Sequence, residues 1–194
     1  MLALAFLASP AAAQQITADR PGIGIDPDVV PQWTLQPEMG TDAKEVRIGV
    51  LSGLEADFQD GGGDWAAGGK LRLIDKPAVK LALRLAYDRQ LRAVVEVPAN
   101  VTVTPWFSLG LDAMMSRTSR VYAAEFNFQP TGRLTITPTV YHDGKARGAV
   151  FVAWVPPGHD NVQFDAGWDQ GKVSIGISTA LDFRALVHGA PPRD

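Results

Sequence analysis

From Trp33 onward, apolar and polar side chains alternate with a period of two, and the alternation persists almost to the end of the chain. Trp33, Leu35, Pro37 and Met39 share one parity against Thr34, Gln36 and Glu38. Val46, Ile48 and Val50 oppose Glu45 and Arg47, and Leu54, Ala56 and Phe58 oppose Glu55, Asp57 and Gln59. Successive side chains of a strand point to opposite faces, so this period predicts two-faced strands. The clearest pair spans residues 63–88. Before Asp75-Lys76-Pro77, Trp65, Ala67, Gly69, Leu71 and Leu73 oppose Asp64, Ala66, Gly68, Lys70 and Arg72. After it, Val79, Leu81, Leu83 and Leu85 oppose Lys80, Ala82, Arg84 and Ala86. Pro77 blocks a helix running through the segment.

The pattern continues. Ala93, Val95, Val97, Val101 and Val103 face away from Arg92, Glu96, Asn100 and Thr102, with Pro98 on the polar parity, where a kink is expected. Phe107, Leu109 and Leu111 oppose Ser108, Gly110 and Asp112. Tyr122, Ala124, Phe126 and Phe128 oppose Glu125 and Asn127, and Leu134, Ile136 and Val140 oppose three threonines. Val162, Phe164, Ala166 and Trp168 oppose Gln163, Asp165 and Asp169. Val173, Ile175, Ile177 and Leu181 close the series against Lys172, Ser174, Ser178 and Asp182. Residues 148–155 are apolar on both parities and receive no orientation. Short Gly-, Pro- and Asn/Asp-rich steps separate the strands, among them Ser52-Gly53, Thr104-Pro105, Gln129-Pro130-Thr131-Gly132, Pro156-Pro157-Gly158 and Asp169-Gln170-Gly171. About twelve strands joined by short turns predict an all-β, antiparallel up-and-down meander. Closure into a barrel removes the two long edges a flat sheet would leave.

Which face is inside decides the kind of barrel. In a water-soluble barrel the apolar parity fills the interior, and in a transmembrane one it meets lipid while charges line the lumen. An interior of eight strands is already about wide enough for side chains to fill, so twelve strands around an apolar core would leave a void or a large ligand cavity. Several predicted strands reach the roughly 9–11 residues a tilted transmembrane strand needs, and many tryptophans fall near strand ends, where aromatic girdles belong. The expectation is therefore a transmembrane barrel over 33–183. The alternatives are a soluble periplasmic ligand-binding barrel and a non-conducting structural barrel packed with ion pairs.

The first residues sharpen the compartment. Leu2 to Leu7 are apolar, and Ala11 and Ala13 stand at the small-residue positions before a cleavage after Ala13, the pattern of a secretory signal peptide over 1–13. Residues 14–32, with Pro21, Gly22, Pro27 and Pro31, predict an extended periplasmic arm, and 184–194 a tail. The expected location is the outer membrane of a Gram-negative cell, with its lipid as partner; the periplasm is the alternative. Formal net charge is −3, which gives no electrostatic case for nucleic acid. The chain has no cysteine, which removes thiol chemistry and thiolate metal sites. His142, His159 and His188 stand singly in turns or tail, no motif pairs a histidine with Ser108, Ser116, Ser119 or Ser178, and Gly61-Gly62-Gly63 lacks the Lys-Ser/Thr of a phosphate loop. An enzyme is not expected, nor is a cofactor or metal. The polar parity supplies the candidates for a lumen or solute path: Glu55, Asp57, Lys70, Arg72, Lys80, Arg84, Arg92, Glu96, Asp112, Glu125 and Asp165. Asp19 and Arg20 are candidates for an arm that plugs the barrel mouth, with Arg20 paired to a lumen carboxylate.

Three stretches carry a family resemblance: Thr17-Ala18-Asp19-Arg20-Pro21-Gly22, then Asp28-Val29-Val30-Pro31 and Leu35-Gln36-Pro37-Glu38, then Gly63-Asp64-Trp65-Ala66-Ala67-Gly68-Gly69-Lys70-Leu71-Arg72-Leu73. They resemble the amino-terminal arm, first strand and glycine-rich strand of the bacterial outer-membrane family known as the MetA-pathway of phenol degradation, or transporter, family. Val103-Thr104-Pro105-Trp106-Phe107-Ser108-Leu109 and Phe164-Asp165-Ala166-Gly167 are similar to later segments of it. The resemblance implies a porin-like outer-membrane barrel that transports small organic compounds, aromatic or hydrophobic ones included. Two features depart from an ordinary porin. Phe183 would be the terminal aromatic assembly signal, yet eleven residues follow it, and no long extracellular loop is visible.

Overall fold

Twelve of the alternating segments form one closed wall. The computed structural model describes residues 24–61 and 63–184. Its strands are β1 (Thr34–Gly40), β2 (Lys44–Leu51), β3 (Leu54–Gly61), β4 (Asp64–Lys76), β5 (Val79–Asp88), β6 (Arg92–Thr104), β7 (Phe107–Ser116), β8 (Arg120–Thr131), β9 (Leu134–His142), β10 (Ala146–Trp154), β11 (Val162–Asp169), β12 (Lys172–Thr179) and the short β13 (Leu181–Asp182). Each of β1 to β12 pairs antiparallel with its sequence neighbours. The cylinder closes where β1 meets β12, with Glu38 opposite Ser178 and Met39 opposite Ile177, and where β1 meets β13, with Thr34 opposite Asp182. The two described ends of the wall therefore meet at one mouth, the terminal mouth; the β1–β2, β3–β4 and β5–β6 turns line the other, far mouth.

The polar parity is inside. Thr34, Gln36, Glu38, Arg47, Glu55 and Lys70 are at most 1% exposed, whereas Val173, Val103 and Leu85 are 71%, 60% and 56% exposed. A water-soluble barrel would show the reverse. Every inward side chain on one strand implies an outward one beside it, so the register fixes the inversion all round the wall. An apolar exterior around a charged interior is the arrangement of a barrel whose solvent is lipid. Aromatic rings gather at both rims. At the terminal mouth, Trp33 packs edge-on against Phe183 at 6.0 Å, Phe107 against Phe128 at 5.0 Å, and Trp154 against Phe164 at 6.0 Å. At the far mouth Trp65 sits between Phe58 and Tyr87. Rings of this kind belong at the two membrane interfaces, where an apolar body and a polar edge are both satisfied.

Local departures have local causes. The β5–β6 ladder pairs Leu81 with Ala99 and resumes at Arg84 with Glu96, passing over Pro98, which has no N–H to donate. β8 runs on through Gln129 and Pro130 to Thr131, three residues into the expected turn at 129–132. A register shift between Phe128 and Thr131 accommodates the proline in a bulge. The strand without a readable face, β10, turns Val150, Val152 and Trp154 outward and buries Ala149 and Phe151 with Ala123 and Tyr141. The Phe151 ring lies where a Cβ on Gly167 of the adjacent β11 would be, so a glycine on the neighbouring strand makes room for an inward aromatic.

Candidate functional site: the lumen and its arm

The inside of the barrel has two sectors. On β1 to β6 it is knitted by buried ion pairs. Arg47 Nε and Nη2 donate to Glu55 Oε1 and Oε2 at 3.0 and 2.9 Å, and Nη1 donates to Glu38 Oε1 at 3.3 Å. Gln36 Nε2 donates to the same Glu38 oxygen at 2.9 Å. Lys70 Nζ stands 3.3 Å from Glu55 Oε1. One strand further on, Arg84 grips Asp57 through Nε and Nη2, and its Nη1 donates to Glu96 Oε2 at 3.2 Å. Adjacent inward positions on neighbouring strands bring these partners together: Glu55 is opposite Lys70, Lys70 opposite Arg84, and Arg84 opposite Glu96. Fork-shaped Arg–carboxylate contacts of this kind repay part of the desolvation that burial imposes.

The amino-terminal arm lies against this sector, inside the barrel. Lys70 Nζ donates to the Asp26 carbonyl at 2.8 Å, and Arg47 Nη2 to the Asp28 carbonyl at 3.1 Å. The Val30 N–H donates to Glu55 Oε2 at 2.6 Å, and the Asp28 carboxylate pairs with Lys80. Val29 and Val30 are buried. The same cations thus serve the wall's carboxylates and the arm's carbonyls. Where the arm leaves through the terminal mouth, Gln32 bridges Gly49 of β2 in parallel and the Trp33 N–H donates to the Gly49 carbonyl at 3.0 Å. A Cβ at residue 49 would overlap the Pro31 carbonyl oxygen.

The other sector, on β6 to β11, is carboxylate, amide and hydroxyl. Glu96, Asp112 and Glu125 project inward from three successive strands, with Asp112 beside the other two, and Gly24 of the arm lies against the Asp112 side chain. Asn100 Nδ2 donates to Ser108 Oγ at 3.2 Å and Thr137 Oγ1 to Asn127 Oδ1 at 2.8 Å. Between this wall and arm residues Gly24 to Asp28 lies a cavity of about 300 Å³, which reaches the terminal mouth at Pro105 and Gln129 and has Asp112 and Glu125 in its lining. Its surface is largely neutral and hydrogen-bonding, with Ile25 of the arm among its apolar members. Toward the far mouth, Tyr141 donates to Asp169 Oδ1 at 2.8 Å and accepts from Gln170 Nε2 at 2.6 Å. At the far rim the Arg147 guanidinium, hydrogen-bonded to Asp143, holds that exposed carboxyl below the usual carboxylate range.

Among the expected lumen residues, Glu55, Asp57, Lys70, Arg84, Glu96 and Asp165 are buried inside the barrel, and Asp112 and Glu125 face the cavity. Lys80 and Arg72 stand nearer the terminal mouth, Arg72 paired with Asp75 at 2.9 Å. Arg92 is the exception. It is exposed at the far rim, where its guanidinium donates to the Tyr87 hydroxyl and lies 6.0 Å from that ring's centroid. Its φ of 67° takes it out of strand geometry, so parity counted through the turn does not hold for its side chain. Asp19 and Arg20 lie outside the described residues, as do the expected signal peptide and the tail beyond Arg184; among the described residues, Asp26, Asp28 and Val30 make contacts that seat the arm. The hub of the network, Arg47, and its partner Glu38 carry the same alternation signal as the residues singled out, yet do not stand among them. His142 and His159 lie at turns, and among the described residues no group of three or more His, Asp or Glu could hold a metal ion.

No family model matches the chain, and no curated protein sequence matches it. Solved structures do. The KdgM porin superposes with a TM-score of 0.56 at 9% identity, covering 78% of this chain and 98% of that one. A structure of the KdgM porin in complex with disordered oligogalacturonate gives 0.55 at the same identity and coverage. The NanC porin gives 0.49 at 11% identity, covering 76% of this chain and 99% of that one. At these identities the likeness is one of fold: a closed twelve-strand barrel of the porin type.

Proposed function

We propose that this chain is an outer-membrane channel for small organic solutes bearing hydrogen-bonding groups, entered through the cavity beside its own amino-terminal arm. The observation that carries this reading is the inversion of the barrel: an apolar, aromatic-rimmed exterior around a lumen that keeps a polar cavity open to one mouth. The porin fold supports it. The cavity's volume is at the lower bound of small-molecule sites. Its amides and hydroxyls would replace a solute's hydration, and Ile25 of the arm would meet an apolar ring. Aromatic compounds that carry hydroxyls, within the aromatic or hydrophobic class implied by the family resemblance, combine both features. The oligogalacturonate of the KdgM complex is a polyanion, and the carboxylates facing this cavity would repel such a ligand.

Liposome swelling with a graded series of neutral polyols, alongside planar-bilayer conductance of the full chain, tests the proposal. Flux of the smallest polyols and a stable conductance are expected; absence of both overturns it. A non-conducting structural barrel is the second reading, favoured by the ion pairs and arm that fill the β1–β6 sector, and the same measurements separate the two.

A further inference from the structure

We infer that the arm over residues 24–31 is the size-limiting element of the passage, and that Gly49 is the seat that holds it in the lumen. Three observations converge. The arm runs down the inside of the wall from Pro31, at the terminal mouth, to Gly24, against Asp112 of β7. Its residues Gly24 to Asp28 are therefore one wall of the cavity, which they narrow. Its polar main-chain groups are met by side chains of the barrel: Arg47 and Lys70 on carbonyls, and Glu55 on the Val30 N–H. Among the described residues it is held by hydrogen bonds and by the ion pair of Asp28 with Lys80, and its strand pairing is the bridge at Gln32.

Gly49 is where the backbone of the wall meets the end of the arm, at the Gln32 bridge and the Trp33 hydrogen bond. It occupies an inward position of β2, two residues after Arg47, where the alternation would place another polar side chain. Its φ lies outside the left-handed region, so an alanine fits the strand itself. What an alanine does not fit is the arm, because its Cβ would coincide with the Pro31 carbonyl and crowd that of Val30. Gly49→Ala therefore acts on the arm alone: it displaces the arm while leaving the Arg47, Lys70 and Arg84 ion pairs of the wall intact. Asp28→Ala loosens the arm from its other side by removing the partner of Lys80.

The inference rests on the channel reading for one of its two readouts. The chain has no cysteine, so Ile25→Cys gives a unique site for a nitroxide spin label on the arm, at the edge of the cavity. In the otherwise unchanged barrel, reconstituted in lipid, the label should be immobilised. With Gly49→Ala, and to a lesser degree Asp28→Ala, its spectrum should become mobile, with unchanged far-UV circular dichroism as the folding control. In bilayers both variants, without the label, should raise conductance by roughly twofold or more and admit larger polyols, since widening a constriction relieves its barrier. An immobile label in both variants overturns the seat. A mobile label with unchanged conductance, in a parent barrel that conducts, overturns the size limit. If parent and variants all fail to conduct while the label is mobilised, the channel reading fails, the size limit with it, and the seat stands. If Gly49→Ala does not fold, Asp28→Ala decides alone.

Discussion

Arg47 shows what a single inward side chain does in this barrel. It is fully buried, satisfies Glu55 twice and Glu38 once, and donates a further Nη2 hydrogen to the arm at the Asp28 carbonyl. Removing one member of a buried ionic group leaves the others charged and unpaired, which costs about 3–5 kcal/mol. Arg47→Ala should lose that much stability, measured by urea unfolding from lipid or detergent. Restoring neutrality with Glu55→Gln in the same chain should recover part of it. The role was half legible. Alternation put Arg47 on the polar parity, but nothing in the spacing ranks one inward arginine above another, and only the register across β1, β2 and β3 shows Glu38 and Glu55 converging on it. Arg92 marks the converse limit, since a positive φ at a turn is not written in a period of two.

At the scale of elements, the hairpin β4–β5 is the test of which solvent the outer face meets. Leu71 and Leu83 are register partners at its centre, both pointing out, and Lys70 and Arg84 are partners pointing in. An arginine placed on the lipid face near the membrane midplane costs about 2–4 kcal/mol. Leu83→Arg should lower folding stability in bilayers by that amount, whereas Thr135→Arg, which enters the polar cavity, should cost clearly less. Equal losses at both positions would contradict a lipid-facing exterior. Strands such as these were readable because one face is apolar and the other charged. β10 was not, because Ala149 and Phe151 are inward residues with no polar mark, and the place of Phe151 depends on the space left at Gly167 on the adjacent β11, which no period in β10 itself records. The arm was readable only as irregular chain. Proline and glycine exclude strand and helix, but an aperiodic segment carries no information about where it packs, and its seat is written instead in the wall, in Gly49, Lys70 and Lys80.

Over the described residues of the whole barrel, the inward charges are unevenly distributed. Arg47, Lys70, Lys80 and Arg84 face Glu38, Glu45, Glu55, Asp57, Glu96, Asp112, Glu125 and Asp165, and the arm adds Asp26 and Asp28. The cations are concentrated on β2, β4 and β5, where they pair with Glu38, Glu55, Asp57 and Asp28. On the cavity side, away from these cations, Asp112 and Glu125 stand in the lining. Rings of acidic side chains favour cations in a narrow pore, because a low-dielectric wall focuses their field into the water it encloses. Under a gradient of potassium chloride across a planar bilayer, the reversal potential should have the sign of cation preference. Asp112→Asn combined with Glu125→Gln should move it toward zero, while Leu111→Ala, on the outer face beside them, should leave it in place. The preference should also weaken as salt rises, since the Debye length falls from about 10 Å at 0.1 M to about 3 Å at 1 M and the carboxylates then act only at contact. A reversal potential of the opposite sign would mean that the basic stripe on β4 and β5, not the acidic wall facing it, governs the path, and would place the conducting route on the arm's side of the barrel.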